Sequence, residues 1–341
     1  MIQLGLVGFG FWGPLLARNF HAHAEVRLAA VCDPDAERRA AAQHLFPGAR
    51  ATARLPELLA DPALDAVAIA TPAVSHFEMV RDALRADKHV FVEKPLATRV
   101  EEAERLVDEA ARRRLVLMVD HTFLFSPPVR HLAALVKAGE LGALLYYDSV
   151  RTALGRFAGD VNVLWDLAVH DLAVLDRLTG ETPLAISAQG AAHSPSRHED
   201  LAFVTVQYTG NLLAHLHVNR VAPVKLRRTL VGGSRGAVLW DDLDPIEKLR
   251  VFESGVADDE GPDGEHQRRI GYRVGGVWSP RLAVLEPLAE AVAEFVRAVD
   301  GGHPPLSDGE TGLRVVRLLA AADASIARRG APVDLCARVA G

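Results

Sequence analysis

The sequence predicts an α/β protein: a doubly wound parallel sheet at the N-terminus, then an α+β domain built on an antiparallel or mixed sheet. Three observations carry this expectation. Short apolar runs alternate with amphipathic helical stretches through the first 120 residues. Near Asp120 that alternation stops and closely spaced strand-like runs take over. A chain of 341 residues suits two domains of about 100–200 residues each.

In the first part, Ile2–Val7, Val26–Cys32, Ala66–Thr71, His89–Val92 and Leu115–Val119 are nearly continuous apolar runs, as expected of strands buried on both faces. Between them, Trp12–Ala22, Ala36–Leu45, Ser75–Ala86 and Val100–Arg113 carry apolar residues three and four apart, which is helical spacing. Strict alternation of this kind implies parallel strands joined by right-handed crossovers. The expected domains are 1–122 and 123–341, with the last helix free to pack back on the first domain. The second part predicts a helix at Pro128–Lys137, a strand at Leu144–Arg151 and a helix at Val163–Leu178. Strands follow at Ala185–Ala191, Ala202–Tyr208, Leu212–Val218, Arg228–Gly232 and Ala237–Trp240. The polar, Gly- and Pro-containing stretch Gly255–Arg269 reads as a mobile loop, and helices at Leu285–Val299 and Gly309–Arg328 end the chain.

Composition excludes several classes. Apolar residues make up 49% and charged residues 24%, which is ordinary for a globular protein. A formal net charge of −6 and the lack of a Lys/Arg run argue against a nucleic-acid partner. No apolar stretch is long enough to span a membrane, and Met1–Val7 has no basic leader pattern, so a cytoplasmic protein without membrane partners is expected. Two cysteines, Cys32 and Cys336, form no disulfide framework and no Cys/His cluster, so reduced thiols and no metal site are expected.

The most specific local signal is Gly8-Phe9-Gly10-Phe11-Trp12-Gly13, a Gly-x-Gly-x-x-Gly pattern that follows a strand and opens a helix. In that context Gly8 permits a tight turn, Gly10 lets backbone approach a pyrophosphate, and Gly13 allows close helix–sheet packing. The N–H groups at the helix start then face the anion. Asp33 follows Gly13 by 20 residues, at the end of the second strand, where an acid hydrogen-bonds the adenine ribose 2′-hydroxyl. This is a Rossmann dinucleotide site. Asp33 would repel a 2′-phosphate, which favours NAD over NADP, although Arg38 and Arg39 lie close enough in sequence to reach such a phosphate. Phe9, Phe11 and Trp12 flank the loop, with helix packing the expected task of Trp12.

Further features follow in order. Ala70-Thr71-Pro72 ends a strand, with His76 four residues on; Glu93-Lys94-Pro95 ends the next. His121-Thr122-Phe123 follows another strand, and Trp165-Asp166-Leu167-Ala168-Val169-His170 lies on a helix. Together with the glycine loop, this order resembles the Gfo/Idh/MocA oxidoreductases over nearly the whole chain. The resemblance implies a Rossmann domain followed by a large open-faced, mostly antiparallel sheet that mediates homodimer or homotetramer formation. It also places Lys94, Asp166 and His170 around the nicotinamide as catalytic residues. One departure is Ala168, where the family often has Gly.

The chemistry of these residues is consistent with that role. Ligands of open parallel sheets bind beyond the carboxyl ends of the strands, where Thr71, Pro72, Glu93 and Lys94 are expected. Asp166 and His170 are i and i+4 and share a helix face. A histidine can take a hydroxyl proton near neutral pH, and a lysine ammonium can stabilise developing alkoxide character. Bland readings stand beside these. Lys94 alone could be a solvated charge, His170 a core histidine, and Asp166 a partner that only orients His170. His76 either lines the cofactor pocket or caps its helix. His121, Arg151 and Trp165 face the substrate or serve packing and ion pairing.

Arg227–Gly233, Asp241–Lys248 and Glu286-Pro287-Leu288 are similar to members that oxidise C3 of a nucleotide-linked sugar before amination. The implied substrate is a sugar or nucleotide sugar. An inositol or free-sugar dehydrogenase and a sugar 3-ketoreductase remain alternatives. So does a regulator that binds the dinucleotide without turnover.

Overall fold

The structure, a computed structural model, describes residues 1–154, 161–195, 198–258, 270–272 and 275–336. Its first sheet contains β1 (Ile2–Val7), β2 (Val26–Cys32), β3 (Arg50–Thr52), β4 (Ala66–Ile69), β5 (His89–Glu93) and β6 (Leu117–Asp120). The six strands are all parallel, in the order β3-β2-β1-β4-β5-β6, which is the Rossmann arrangement. Helices α1 (Gly13–Ala22), α2 (Ala36–Leu45), α3 (Leu55–Leu59), α4 (His76–Arg85) and α5 (Val100–Arg113) make the crossovers. Every residue of β4 and β6 is buried, as the unbroken apolar runs require. Helix starts are set by local chemistry. Asp35 caps α2 by accepting the N–H groups of Glu37 and Arg38 at 2.8 and 3.3 Å.

The chain divides into two compact units, Met1–Ser126 with Leu285–Arg317, and Pro127–Val284 with Leu318–Gly341. This differs from the expected boundary at 122/123 because α8 (Pro287–Gly301) belongs to the first unit. Phe295 of α8 packs edge-on to Phe20 and Phe91 with centroids 6.1 and 5.6 Å away, and all three rings are fully buried. Ser307 also donates to the Val119 carbonyl at 2.7 Å, tying the following segment to β6. The division then falls within α9 (Gly309–Ala327).

The second unit holds α6 (Pro127–Lys137), α7 (Val169–Leu178) and a π-helical turn at Leu164–Ala168 leading into α7. Its strands are β7 (Leu144–Thr152), β8 (Pro183–Ala191), β9 (Leu201–Tyr208), β10 (Leu213–Asn219), β11 (Leu226–Gly233), β12 (Ala237–Asp241) and β13 (Leu249–Phe252). After these come the antiparallel pair β14 (Val256–Asp258) and β15 (Ile270–Tyr272), then β16 (Val277–Trp278) and β17 (Val333–Asp334). Nine of them form one sheet, in the order β16-β13-β12-β11-β7-β10-β9-β8-β17, antiparallel except at the β7–β10 pair.

Burial alternates along β7, β9 and β10, so one sheet face is core and the other is open. Phe203, Tyr146 and Leu213 stand on the open face, each more than a third exposed. There the Phe203 ring stacks on His217 at 4.5 Å. Of the loop expected at 255–269, residues 259–269 lie outside the described residues, and Val256–Asp258 are the strand β14. Among the described residues no helix is long and apolar enough to cross a membrane.

Candidate active site

In-register parallel pairing places the strand ends of the first sheet along one edge. Val7 pairs with both Cys32 and Ile69, Ile69 with Val92, and Glu93 with Asp120. The residues that follow, Gly8, Asp33, Ala70, Lys94 and His121, therefore share that edge. Gly8 has φ +89°, and a Cβ there would sit 2.5 Å from the Ala70 carbonyl oxygen. At Gly13 a Cβ would sit 2.3 Å from the Gly8 carbonyl oxygen. Gly10 is different: a Cβ would meet only the tip of Arg38, at 3.6 Å. The space over Gly10 is what a pyrophosphate needs, so the loop fits a dinucleotide.

Asp33 is buried, and its carboxylate accepts the Phe9 N–H at 2.7 Å and the Asp35 N–H at 2.9 Å. It pins the glycine loop while keeping lone pairs for a ribose hydroxyl. Arg39 is committed to the carbonyls of Asp33 and Pro34, both at 2.8 Å. Arg38 is half exposed and lies 3.9 Å from the Asp33 carboxylate. Phe9 is buried edge-on to Phe46. Phe11 and Trp12 pack edge to face and are 77% and 44% exposed. Trp12 stands at the N-cap of α1. Its carbonyl accepts the N–H groups of Leu15 and Leu16 at the start of α1, while its ring stays beside the loop.

Thr71 and Pro72 follow β4, where the Ser75 hydroxyl lies 3.0 Å from Thr71 Oγ1 and 2.7 Å from the Pro72 carbonyl. His76 is fully buried, with its ring nitrogens 2.7 Å from the Pro95 carbonyl and 2.9 Å from the Thr71 carbonyl. It is a strut between the Thr71 and Lys94-Pro95 loops. This corrects the expectation of a pocket-lining side chain, because a ring sealed between two carbonyls presents nothing to a ligand.

Around Lys94 the structure gathers Glu93, Asp120 and His121. Glu93 and Asp120 are buried register partners whose carboxyl groups hydrogen-bond each other. Burial, then the negative charge of Asp120, hold the Glu93 carboxyl well above the usual range. Burial raises Asp120 to about 6, opposed by the Thr122 hydroxyl at 2.8 Å and by the charge of Lys94. His121 is buried, with neither ring nitrogen hydrogen-bonded among the described residues. Burial first, and then Lys94, depress it to about 3, so it is neutral.

In the second unit Asp166 lies in the π-helical turn and His170 in the first turn of α7, both partly buried. Asp166 pairs with Arg220, just beyond β10. Trp165 is buried and donates its indole N–H to Asp323 of α9 at 2.6 Å. Arg151 is buried in a two-bonded pair with Asp171, at 2.9 and 3.0 Å. Of the two alternatives for Trp165 and Arg151, the polar groups of both are engaged in packing and ion pairing within the unit. Arg227 and Arg228 likewise pair with Asp242 and Asp241. Sequence reasoning missed Asp120, Asp171, Arg220 and Asp323. Only Asp120 left a signal, as a second acid ending a strand.

Residues 2–121 match a model of the Gfo/Idh/MocA family, described as an oxidoreductase family with an NAD-binding Rossmann fold. Residues 129–239 match the Gfo/Idh/MocA C-terminal domain. The chain is 30% identical over 322 residues to a UDP-N-acetylglucosamine 3-dehydrogenase of Acidithiobacillus ferrooxidans, covering 92% of this chain and 94% of that protein. The chain belongs to the Gfo/Idh/MocA oxidoreductase family. The solved structure of that dehydrogenase has a TM-score of 0.81 at 28% identity, covering 95% of this chain and 97% of the other. A myo-inositol 2-dehydrogenase of Thermotoga maritima is 24% identical over 95% of this chain and 96% of its own. This Gfo/Idh/MocA enzyme is an NAD-dependent oxidoreductase whose first sheet carries the cofactor site.

Two measurements check this site. NAD should bind at least about tenfold more tightly than NADP, or about 1.4 kcal/mol, and Asp33→Ala should narrow that gap. Equal affinities by calorimetry in the wild type would overturn this and point to Arg38 as offsetting Asp33. The second measurement uses His121, whose folded-state value lies below its ordinary 6.5. Between those values the unfolded chain takes up a proton that the folded chain refuses, so its contribution is present above pH 6.5 and is lost as pH falls. The stability of wild type relative to His121→Gln should therefore fall by about 2 kcal/mol between pH 7.5 and pH 5. A pH-independent difference in unfolding free energy would contradict a neutral His121.

Proposed function

We propose that the protein oxidises a secondary hydroxyl of a sugar, C3 of a nucleotide-linked hexose, to the ketone during amino-sugar assembly. The observation that carries this reading is the near full-length similarity to a UDP-N-acetylglucosamine 3-dehydrogenase. Bound NAD supplies the hydride acceptor. His170 takes the hydroxyl proton as the carbon gives up hydride, and Lys94 stabilises the oxygen as negative charge builds. Asp166, already matched by the Arg220 guanidinium, acts as a fixed charge that orients rather than as the proton acceptor.

Purified protein incubated with NAD and a panel of nucleotide hexoses, free sugars and inositols tests the reading through NADH absorbance. A UDP-hexosamine should give turnover, and an added aminotransferase with an amino donor should trap the product as a 3-amino sugar nucleotide. His170→Ala should lower kcat by about 10²-fold or more with a much smaller change in NAD affinity. Turnover with inositol or free glucose alone would replace the nucleotide sugar by the inositol-type substrate of the Thermotoga relative.

The open sheet face supports a second proposal, that two copies bury it against each other. Phe203, Tyr146 and Leu213 are large apolar side chains on one continuous face. Light scattering should give a dimer or tetramer at micromolar concentration, and Phe203→Asp should shift it toward monomer. A stable wild-type monomer would overturn this.

A further inference from the structure

We propose that Glu93 and Asp120 hold one proton between them, and that the single negative charge left on the pair is the counter-ion that positions the Lys94 ammonium. This rests on the catalytic reading of Lys94 but concerns a different pair of groups. Parallel register sets Glu93 directly beside Asp120 at the ends of β5 and β6, and their exposures are 6% and 1%. Two carboxylates in contact without water cannot both remain ionised, whereas a carboxylic acid donating to a carboxylate is a strong, short-range bond.

The surroundings favour one charge over two or none. The Lys94 ammonium acts on both groups and favours ionisation. The Thr122 hydroxyl donates to Asp120 at 2.8 Å, and the Lys94 backbone N–H donates to Glu93. His121 is neutral and adds no charge. Burial and the charge of Asp120 push Glu93 further up than burial pushes Asp120, so the proton resides chiefly on Glu93, which donates to Asp120. Titration then belongs to the pair and not to either residue. Asp120 is a positioning residue here, acting on the reaction through Lys94.

Infrared spectroscopy tests the pair without any substrate. Wild-type protein at pH 7 should show a protonated-carboxyl carbonyl band that is missing from difference spectra of both Glu93→Gln and Asp120→Asn, because either amide leaves the remaining acid ionised. Absence of such a band in the wild type, or its survival in both variants, would overturn the shared proton. Kinetics with the sugar that reduces NAD test the counter-ion. Each single variant keeps one charge and should lower kcat several-fold. The double variant keeps none and should lose about 100-fold, more than the product of the two single losses. A double variant equal to that product would overturn the counter-ion role. Lys94→Ala serves as control: unchanged kcat there would refute the catalytic reading of Lys94 while leaving the infrared result intact.

Discussion

Parallel pairing obliges every strand of the first sheet to end on the same edge, and the chemistry of this protein follows from that constraint. Several of the residues at that edge, Asp33, Glu93, Asp120 and His121 among them, are buried. The residues that must reach a ligand are thereby crowded into a place where charges are costly. The structure answers each cost locally. Asp33 takes two backbone N–H groups, His76 spans two carbonyls, and Asp120 takes a hydroxyl and its neighbouring acid. The glycines solve the complementary problem, since Gly8 and Gly13 stand where any side chain would strike the backbone of a neighbouring turn.

In the second unit, Trp165, Asp166 and His170 lie on one helical segment and Arg151 on β7, and the polar contacts of Trp165, Asp166 and Arg151 come from other parts of the unit. Asp166 is held by Arg220, Trp165 by Asp323 and Arg151 by Asp171. The π turn at Leu164–Ala168 lies at Asp166. A wider turn of this kind breaks the regular i, i+4 relation that a plain helix would give Asp166 and His170, and such turns recur at functional sites. Removing either partner of the buried Arg151–Asp171 pair would leave a stranded charge, so the pair ties β7 to α7.

These features explain what was legible in the sequence. The glycine loop, Asp33 and Glu93-Lys94 announce themselves because their task is local: a turn, a strand end, a helix start. The strand β3 and helix α3 escaped notice, since three and five residues are too few for a period to show. The membership of α8 in the first unit depends on Phe295 meeting Phe20 and Phe91, a contact across more than two hundred residues that no spacing reveals. The same holds for Trp165 with Asp323. The π turn carries the same apolar spacing as an α-helix and cannot be told from it by pattern.

Asp120 shows why the electrostatics of the edge were harder to read than its backbone. In the sequence it is one acid at the end of one strand, and Glu93 is another, 27 residues earlier. Only register makes them a pair, and only burial makes the pair unable to carry two charges. With one proton shared, the charges of Lys94 and the carboxyl pair cancel, and His121 contributes none. With both acids protonated, the edge would present an unmatched lysine; with both ionised, two adjacent anions would face one ammonium without water to separate them. The intermediate state leaves Lys94 charged, matched by one negative charge and oriented, which is the condition a lysine needs to stabilise an alkoxide.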